Sequence, residues 1–250
     1  MSSYLELRDV CVSFNGFRAV DHLNMNVGKG ELRCLIGPNG AGKTTALDMI
    51  CGKVRRTSGS IVLNGAALDG LEEYQIARAG VGRKFQVPSV FKELSISENL
   101  EVARNRHLGV WRNLRWGGRQ ANAPEIEKLA ELVGLQDELA TPAAYLSHGQ
   151  TQWLEIGMLI AQNADLILMD EPTAGMTAQE TQKTAELFAR LKGRHTLIVV
   201  EHDMGFVKAI GDRISVMHLG RVLAEGTAAE IEVNPDVKLA YLGSKGITNA

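Results

Sequence analysis

At 250 residues the chain is long enough for one large domain, or for one domain carrying an insertion. Lysine and arginine number 27 against 29 aspartates and glutamates, a formal charge of −2, so a strongly basic nucleic-acid binder is excluded. Hydrophobic residues at 45% and charged residues at 22% supply a sizeable core and exclude global disorder.

The longest aliphatic runs, Leu166-Ile167-Leu168-Met169 and Leu197-Ile198-Val199-Val200, are far too short to span a bilayer. The start, Met1-Ser2-Ser3-Tyr4-Leu5-Glu6, has neither a basic nor an apolar leader region, so no signal peptide is expected. Cys11, Cys34 and Cys51 are odd in number and lack metal-ligand spacing, which reads as reduced packing thiols in a cytosolic protein.

In chain order, residues 4–33 read as short strands broken by turns, with Asn15-Gly16 as a hairpin signal. Glu31 to Ile36 reads as a buried strand running into Gly37. A helix is expected over Lys43–Ile50, stopping near Gly52, then a strand from Ser58 closed by Asn64-Gly65. From about 88 to 142 helical periodicity takes over: Ile126, Leu129, Ala130, Leu132 and Val133 share one face, and Gly134 is the stop. A helical stretch over Thr151–Ala161 follows. Strand and helix then alternate, at 166–170, 178–192, 196–200 and 203–211. That alternation predicts a parallel sheet with helices on its faces and a helical insertion in the middle.

Gly37-Pro38-Asn39-Gly40-Ala41-Gly42-Lys43-Thr44 fits G-x-x-x-x-G-K-[ST] between a predicted strand and a predicted helix. Its glycines let backbone N–H groups curl around phosphate oxygens, and the helix start adds a positive dipole end. Lys43 would reach the β- and γ-phosphates, and the Thr44 hydroxyl would ligate Mg²⁺. The bland alternative, a glycine-rich turn with an incidental lysine, leaves the strand and helix around it unexplained. Leu166 to Met169 is an apolar run delivering Asp170 and Glu171, which places Asp170 near the Mg²⁺ shell and lets Glu171 polarise an attacking water. Without the phosphate loop, this pattern would as readily be a buried strand with a chance acid at its end. Leu146-Ser147-His148-Gly149-Gln150 precedes a helix and offers a hydroxyl and N–H groups to an anion, although alone it is only an N-cap.

With these motifs in this order, the chain resembles the ATP-binding subunit of an ABC transporter over essentially its whole length. The resemblance implies an α/β P-loop (RecA-like) core with an antiparallel β subdomain and an inserted α-helical subdomain. The boundaries would be 1–87 and about 162–250 for the core, and about 88–161 for the insertion. It marks a Walker A loop at 37–44, with Thr45 beside it, and a Q-loop glutamine at Gln86, which would sense Mg²⁺ and the water. It also marks a signature at 146–150, a Walker B strand at 166–170, a D-loop at 174–177 and a switch histidine at His202. Phe14 matches the aromatic that stacks on adenine, with Phe17 the weaker candidate and core packing the alternative. Two subunits would sandwich two ATP molecules, so that Ser147, Gly149 and Gln150 of one chain face the nucleotide held by the other. Two positions depart from the family pattern: His148 stands where Gly is common, with Ser147 and Gly149 intact so that function is expected to survive, and Thr177 stands where Asp is usual, so the contact across the dimer and the coupling of the two ATP sites are expected to differ.

Finer features resemble the branch serving branched-chain amino acids and urea. The tail Asn234 to Gly243 looks like that branch, and Gly82 to Phe91 and Leu146 to Met158 resemble its urea-type members. The expected function is therefore a Mg²⁺-dependent ATPase energising urea uptake through transmembrane permease subunits. Import of branched-chain amino acids or short-chain amides is the alternative. The chain would sit on the inner face of the plasma membrane, paired with a second ATPase subunit and with no nucleic acid bound. A repair ATPase of related fold would need a coiled-coil insertion or DNA-binding domain, and a regulator without turnover would be expected to lack Glu171 or the signature.

Two further segments invite a partner. Arg104, Arg106, Arg112, Arg115 and Arg119 lie with Trp111 and Trp116 in a stretch without acids. They read as a solvated loop with local tryptophan packing or, next, as a face toward anionic headgroups. Val87, Pro88, Ser89, Val90 and Phe91 form an apolar cluster that would seat a short permease helix, or else merely pack the insertion onto the core.

Overall fold

The computed structural model describes residues 3–84, 89–105 and 123–245. β1 (Ser3–Phe14) and β2 (Phe17–Gly28) pair antiparallel around Asn15 and Gly16. Both turn residues have positive φ, 47° and 88°, the backbone that a two-residue hairpin matching strand twist requires. These are two long strands rather than the several short ones expected. The pairing register shifts between Leu7 and Val10, where Asp9 takes φ 52°. The bulge keeps Leu5, Leu7, Val10 and Val12 all facing the core although their spacing breaks from two to three.

β3 (Leu32–Ile36) leads into α1 (Lys43–Ile50), then β4 (Ser58–Leu63), β5 (Ala66–Ala67), α2 (Glu73–Arg78) and β6 (Val81–Lys84). The helical region holds α3 (Ile96–Asn105), α4 (Ala123–Val133) and α5 (His148–Ala161). Next come β7 (Leu166–Asp170), α6 (Ala178–Leu191), β8 (Thr196–Val200), α7 (Met204–Ile210), β9 (Arg213–His218) and β10 (Arg221–Gly226). α8 (Ala228–Val233) and α9 (Pro235–Lys245) close the chain. An antiparallel sheet runs β2-β1-β4-β5, and a second sheet runs β10-β9-β3-β8-β7-β6. In the second, β9, β3, β8, β7 and β6 are parallel, and β10 joins β9 antiparallel.

The second sheet is the middle of three layers. Leu166, Leu168, Ile198 and Val200 point to the antiparallel sheet and α1, while Ile167, Met169, Leu197 and Val199 point to the helices. Both faces are covered, which is why these strands read as unbroken apolar runs. On the helical side α5 packs closely on α3 and α4. A Cβ at Gly157 would lie 3.1 Å from Leu100 and 3.3 Å from Val133. α5 begins at His148, not Thr151, because Ser147 and Gln150 form a reciprocal capping box that starts the helix earlier. The three cysteines are buried thiols, and burial pushes Cys34 up to about 12.

Candidate nucleotide site

The loop between β3 and α1 depends on its glycines. Gly37 (φ 149°) and Gly42 (φ 98°) would place a Cβ 2.1 Å from the Met217 carbonyl oxygen and 2.4 Å from that of Ala19. The backbone is thus wedged between the end of β9 and the start of β2. Gly220 N–H donates to Ala41 O at 3.0 Å, which anchors the loop to the β9–β10 turn. Gly42 caps α1 in the left-handed conformation, with no side-chain acceptor and no acid in the first turn. Among the described residues, the first N–H groups of α1 therefore have no side-chain acceptor, the arrangement that receives an anion. Lys43 Nζ donates to Gly37 O at 2.7 Å and Pro38 O at 3.0 Å, folded over the loop. Burial lowers its pKa, and the carboxylates of Asp170 and Glu171 oppose that shift.

Asp170 ends β7, buried at 3% exposure, with the Thr44 hydroxyl near enough to favour its ionised form. Among the described residues, its buried Oδ2 has no hydrogen-bond partner. Burial raises the Asp170 pKa, with Thr44 and the Arg83 guanidinium pulling the other way. A buried carboxylate oxygen of this kind beside a hydroxyl fits a hard cation with oxygen ligands. Arg83 on β6 reaches Asp48 Oδ1 at 3.1 Å and Asp170 Oδ2 at 3.6 Å, so it steadies both acids.

Glu171 does not continue the strand. It takes φ 47°, rare for a residue with a Cβ, while its N–H is held by Val200 O at 2.9 Å. The turn brings its half-exposed carboxylate within 3.6 Å of His202 Nδ1. Glu201, between β8 and α7, is 1% exposed. It accepts the Thr173 hydroxyl at 2.6 Å, Thr173 N–H at 3.2 Å and His202 N–H at 3.2 Å. It therefore holds both strand exits in one arrangement.

The signature residues gather elsewhere. Ser147 caps α5, with Gln150 N–H donating to Ser147 Oγ at 3.2 Å and Ser147 N–H to Gln150 Oε1 at 2.9 Å. Gln150 Nε2 also donates to Glu138 at 2.8 Å, so its side chain is engaged within the chain. Ser147 Oγ and Gly149 N–H both donate to Glu180 on α6. No hydrogen bond joins this turn to loop 37–44 among the described residues. The two departures have local partners: His148 Nε2 meets Ala174 O at 3.0 Å, and Thr177 is the N-cap of α6.

Phe14 and Phe17 pair across the first hairpin at 47% and 67% exposure, so neither is a core residue. Thr45 is half-buried on α1 beside Thr44. Gln86, with Val87 and Pro88, lies outside the described residues, as do Arg106, Trp111, Arg112, Arg115, Trp116 and Arg119; Arg104 pairs with Glu125. Phe91 is half-exposed, whereas Val90 packs on the helical core. Sequence reasoning missed Arg83, Glu201 and Glu180. It also missed Tyr241 on α9, whose side chain lies near the Gly37 backbone and brings the tail against the phosphate loop.

A phosphate loop at the end of β3, beside a cation-ready Asp170 at the end of β7, defines a P-loop nucleotide-binding protein. The family model described as ABC transporter matches residues 20–174, and that of a branched-chain amino acid ATP-binding cassette transporter matches residues 221–246. The chain is 38% identical to the high-affinity branched-chain amino acid transport ATP-binding protein LivG of Escherichia coli K12, covering 96% of this chain and 97% of that protein. Identity is also 38% to BraF of Pseudomonas aeruginosa, with the same coverage. A crystal structure of an ATP-binding cassette of an ABC transporter in its ADP conformation superposes with a TM-score of 0.85 at 27% identity, over 97% of this chain and 100% of that one. A nucleotide-free cassette gives 0.82 at 26% identity, over 96% and 99%. The chain belongs to the ABC transporter family as its ATP-hydrolysing, ATP-binding subunit. No helix among the described residues is long and apolar enough to cross a membrane.

Proposed function

We propose that the chain hydrolyses ATP to energise import of branched-chain amino acids through transmembrane permease subunits, held by them at the inner membrane face. The observation that carries the solute class is the tail: residues 221–246 match the branched-chain amino acid model, and Tyr241 within it contacts the phosphate loop. The relatives named above are amino-acid transport proteins, so this reading stands ahead of urea. The helical stretch from about 88 to 161 is proposed as the subdomain facing the permease.

In this reading, loop 37–44 binds the phosphates through backbone N–H groups while Lys43 leaves its carbonyl partners to neutralise them. Thr44 and Asp170, with Gln86, would hold Mg²⁺, which would supply charge neutralisation to the phosphates. Glu171 orients and polarises the attacking water, and His202, 3.6 Å away, steadies the γ-phosphate side of that water. Phe14 stacks on the adenine. Ser147 and Gly149 serve the ATP of a second subunit, in keeping with the lack of any hydrogen bond from them to this chain's own loop among the described residues.

Uptake of labelled leucine and of labelled urea, in cells expressing the chain with its membrane partners, tests the reading. Glu171→Gln should abolish leucine uptake and ATP turnover while ATP binding persists. Urea uptake lost with leucine uptake untouched would reverse the solute assignment. Near-normal hydrolysis by the variant would remove Glu171 from the mechanism.

A further inference from the structure

The carboxylate of Glu180 gathers donors from two separate turns. Its Oε1 accepts the Ser147 hydroxyl at 2.8 Å and Gly149 N–H at 3.2 Å. Its Oε2 accepts Thr177 N–H at 2.9 Å and the Thr177 hydroxyl at 3.0 Å. The fit is close: a Cβ at position 149 would lie 2.6 Å from Oε1 and 2.7 Å from Cδ, so a larger residue there would push the Glu180 side chain from its present place. His148 adds a second tie between the same turns through Ala174 O.

A hydroxyl and a backbone amide each carry one hydrogen to donate. Both hydrogens that the signature would offer to a phosphate are already given to an anion of the chain's own. A γ-phosphate cannot take them while Glu180 keeps them, and two anions at one donor pair repel. We propose that Glu180 is the resident anion of the signature turn, which sets its affinity for ATP by occupying the phosphate donors until the nucleotide of the second subunit displaces it. The proposal rests on the reading of Ser147 and Gly149 given above. It also explains Thr177: as N-cap of α6 it anchors the far oxygen and leaves the near one for the signature.

The test is steady-state ATP hydrolysis by the assembled transporter. Glu180→Gln keeps the capping box with Thr177, so α6 still starts correctly, but it removes the charge. The KM for ATP should fall about tenfold with kcat within about twofold, as a charge-assisted contact is exchanged for a neutral one. Glu180→Asp, which draws the carboxylate back by one methylene, should also lower KM, and it carries the same expectation if the Gln variant does not fold. A purely structural role would instead lower kcat and thermal stability and leave KM in place, and that result overturns the proposal. Lys43→Ala in the same preparation separates the failures. If hydrolysis survives Lys43→Ala, the nucleotide-site reading falls and this proposal with it. If hydrolysis is lost there but both Glu180 variants keep the parent KM, only this proposal falls.

Discussion

Glu201→Ala is expected to damage stability and catalysis together. The carboxylate is 1% exposed and accepts three hydrogen bonds, from the Thr173 hydroxyl, Thr173 N–H and His202 N–H. A buried donor stranded by loss of its acceptor costs about 1–3 kcal/mol, and hydrogen bonds to charged groups lie toward the upper end. The Thr173 hydroxyl can rotate to another acceptor and the His202 amide lies next to an exposed side chain, so the three costs do not sum in full. A loss of about 3 kcal/mol follows, which for a chain of this size lowers Tm by about 6–12 °C. Turnover should fall as well, because Glu201 fixes the turn carrying Glu171 and the backbone of His202. Glu201→Gln keeps one carbonyl acceptor and should lose about 1 kcal/mol. Thermal unfolding and ATP turnover on the same preparations check this. A Tm within about 2 °C of the parent with unchanged kcat for Glu201→Ala would refute the argument that this acid organises both strand exits.

Lys43→Ala should abolish ATP binding, read by nucleotide fluorescence, since the phosphate charge loses its side-chain cation. Gly42→Ala should do nearly as much damage, because its Cβ would meet the Ala19 carbonyl oxygen at 2.4 Å and force the loop off its perch; a folded variant with parent affinity would contradict that geometry. Phe91→Ala should leave folding stability within about 1 kcal/mol and basal ATPase activity within about twofold of the parent while weakening permease association, because the ring is 51% exposed; parallel loss of stability and activity would show that it merely packs. The carboxyl of Glu180 is held down to about 2 by donors from Thr177 and Ser147. A depressed carboxyl contributes stability in full above its unfolded pKa of about 4.3 and loses it as pH falls through the folded value. The contact should thus persist at pH 4 and break near pH 2, and an NMR titration midpoint near 4.3 would count against it.

Much of the fold and site was legible because its signals are local. β7 and β8 occur at 166–170 and 196–200 as the apolar runs indicated, since a strand covered on both faces must be apolar throughout. The glycines of loop 37–44 announced a backbone that side chains would obstruct, and the structure supplies the obstructing atoms at Met217 and Ala19. Asn15-Gly16 likewise carried its own turn geometry. β9 and β10 escaped notice, and their hairpin turns on Leu219 at φ 49° before Gly220, a residue no turn rule favours there. Which polar groups meet was beyond the sequence. Ser147 and Glu180 lie 33 positions apart, and Arg33 and Glu225 lie 192 apart. No periodicity links such pairs, because a hydrogen bond between distant segments exists only after the sheet and helices have packed. The sequence by itself determined the order of elements that sets loop 37–44 at the end of β3 and Asp170 at the end of β7. The tertiary structure alone decided that Arg83 and Glu201 steady those groups, and that the signature donors already hold a carboxylate of their own chain.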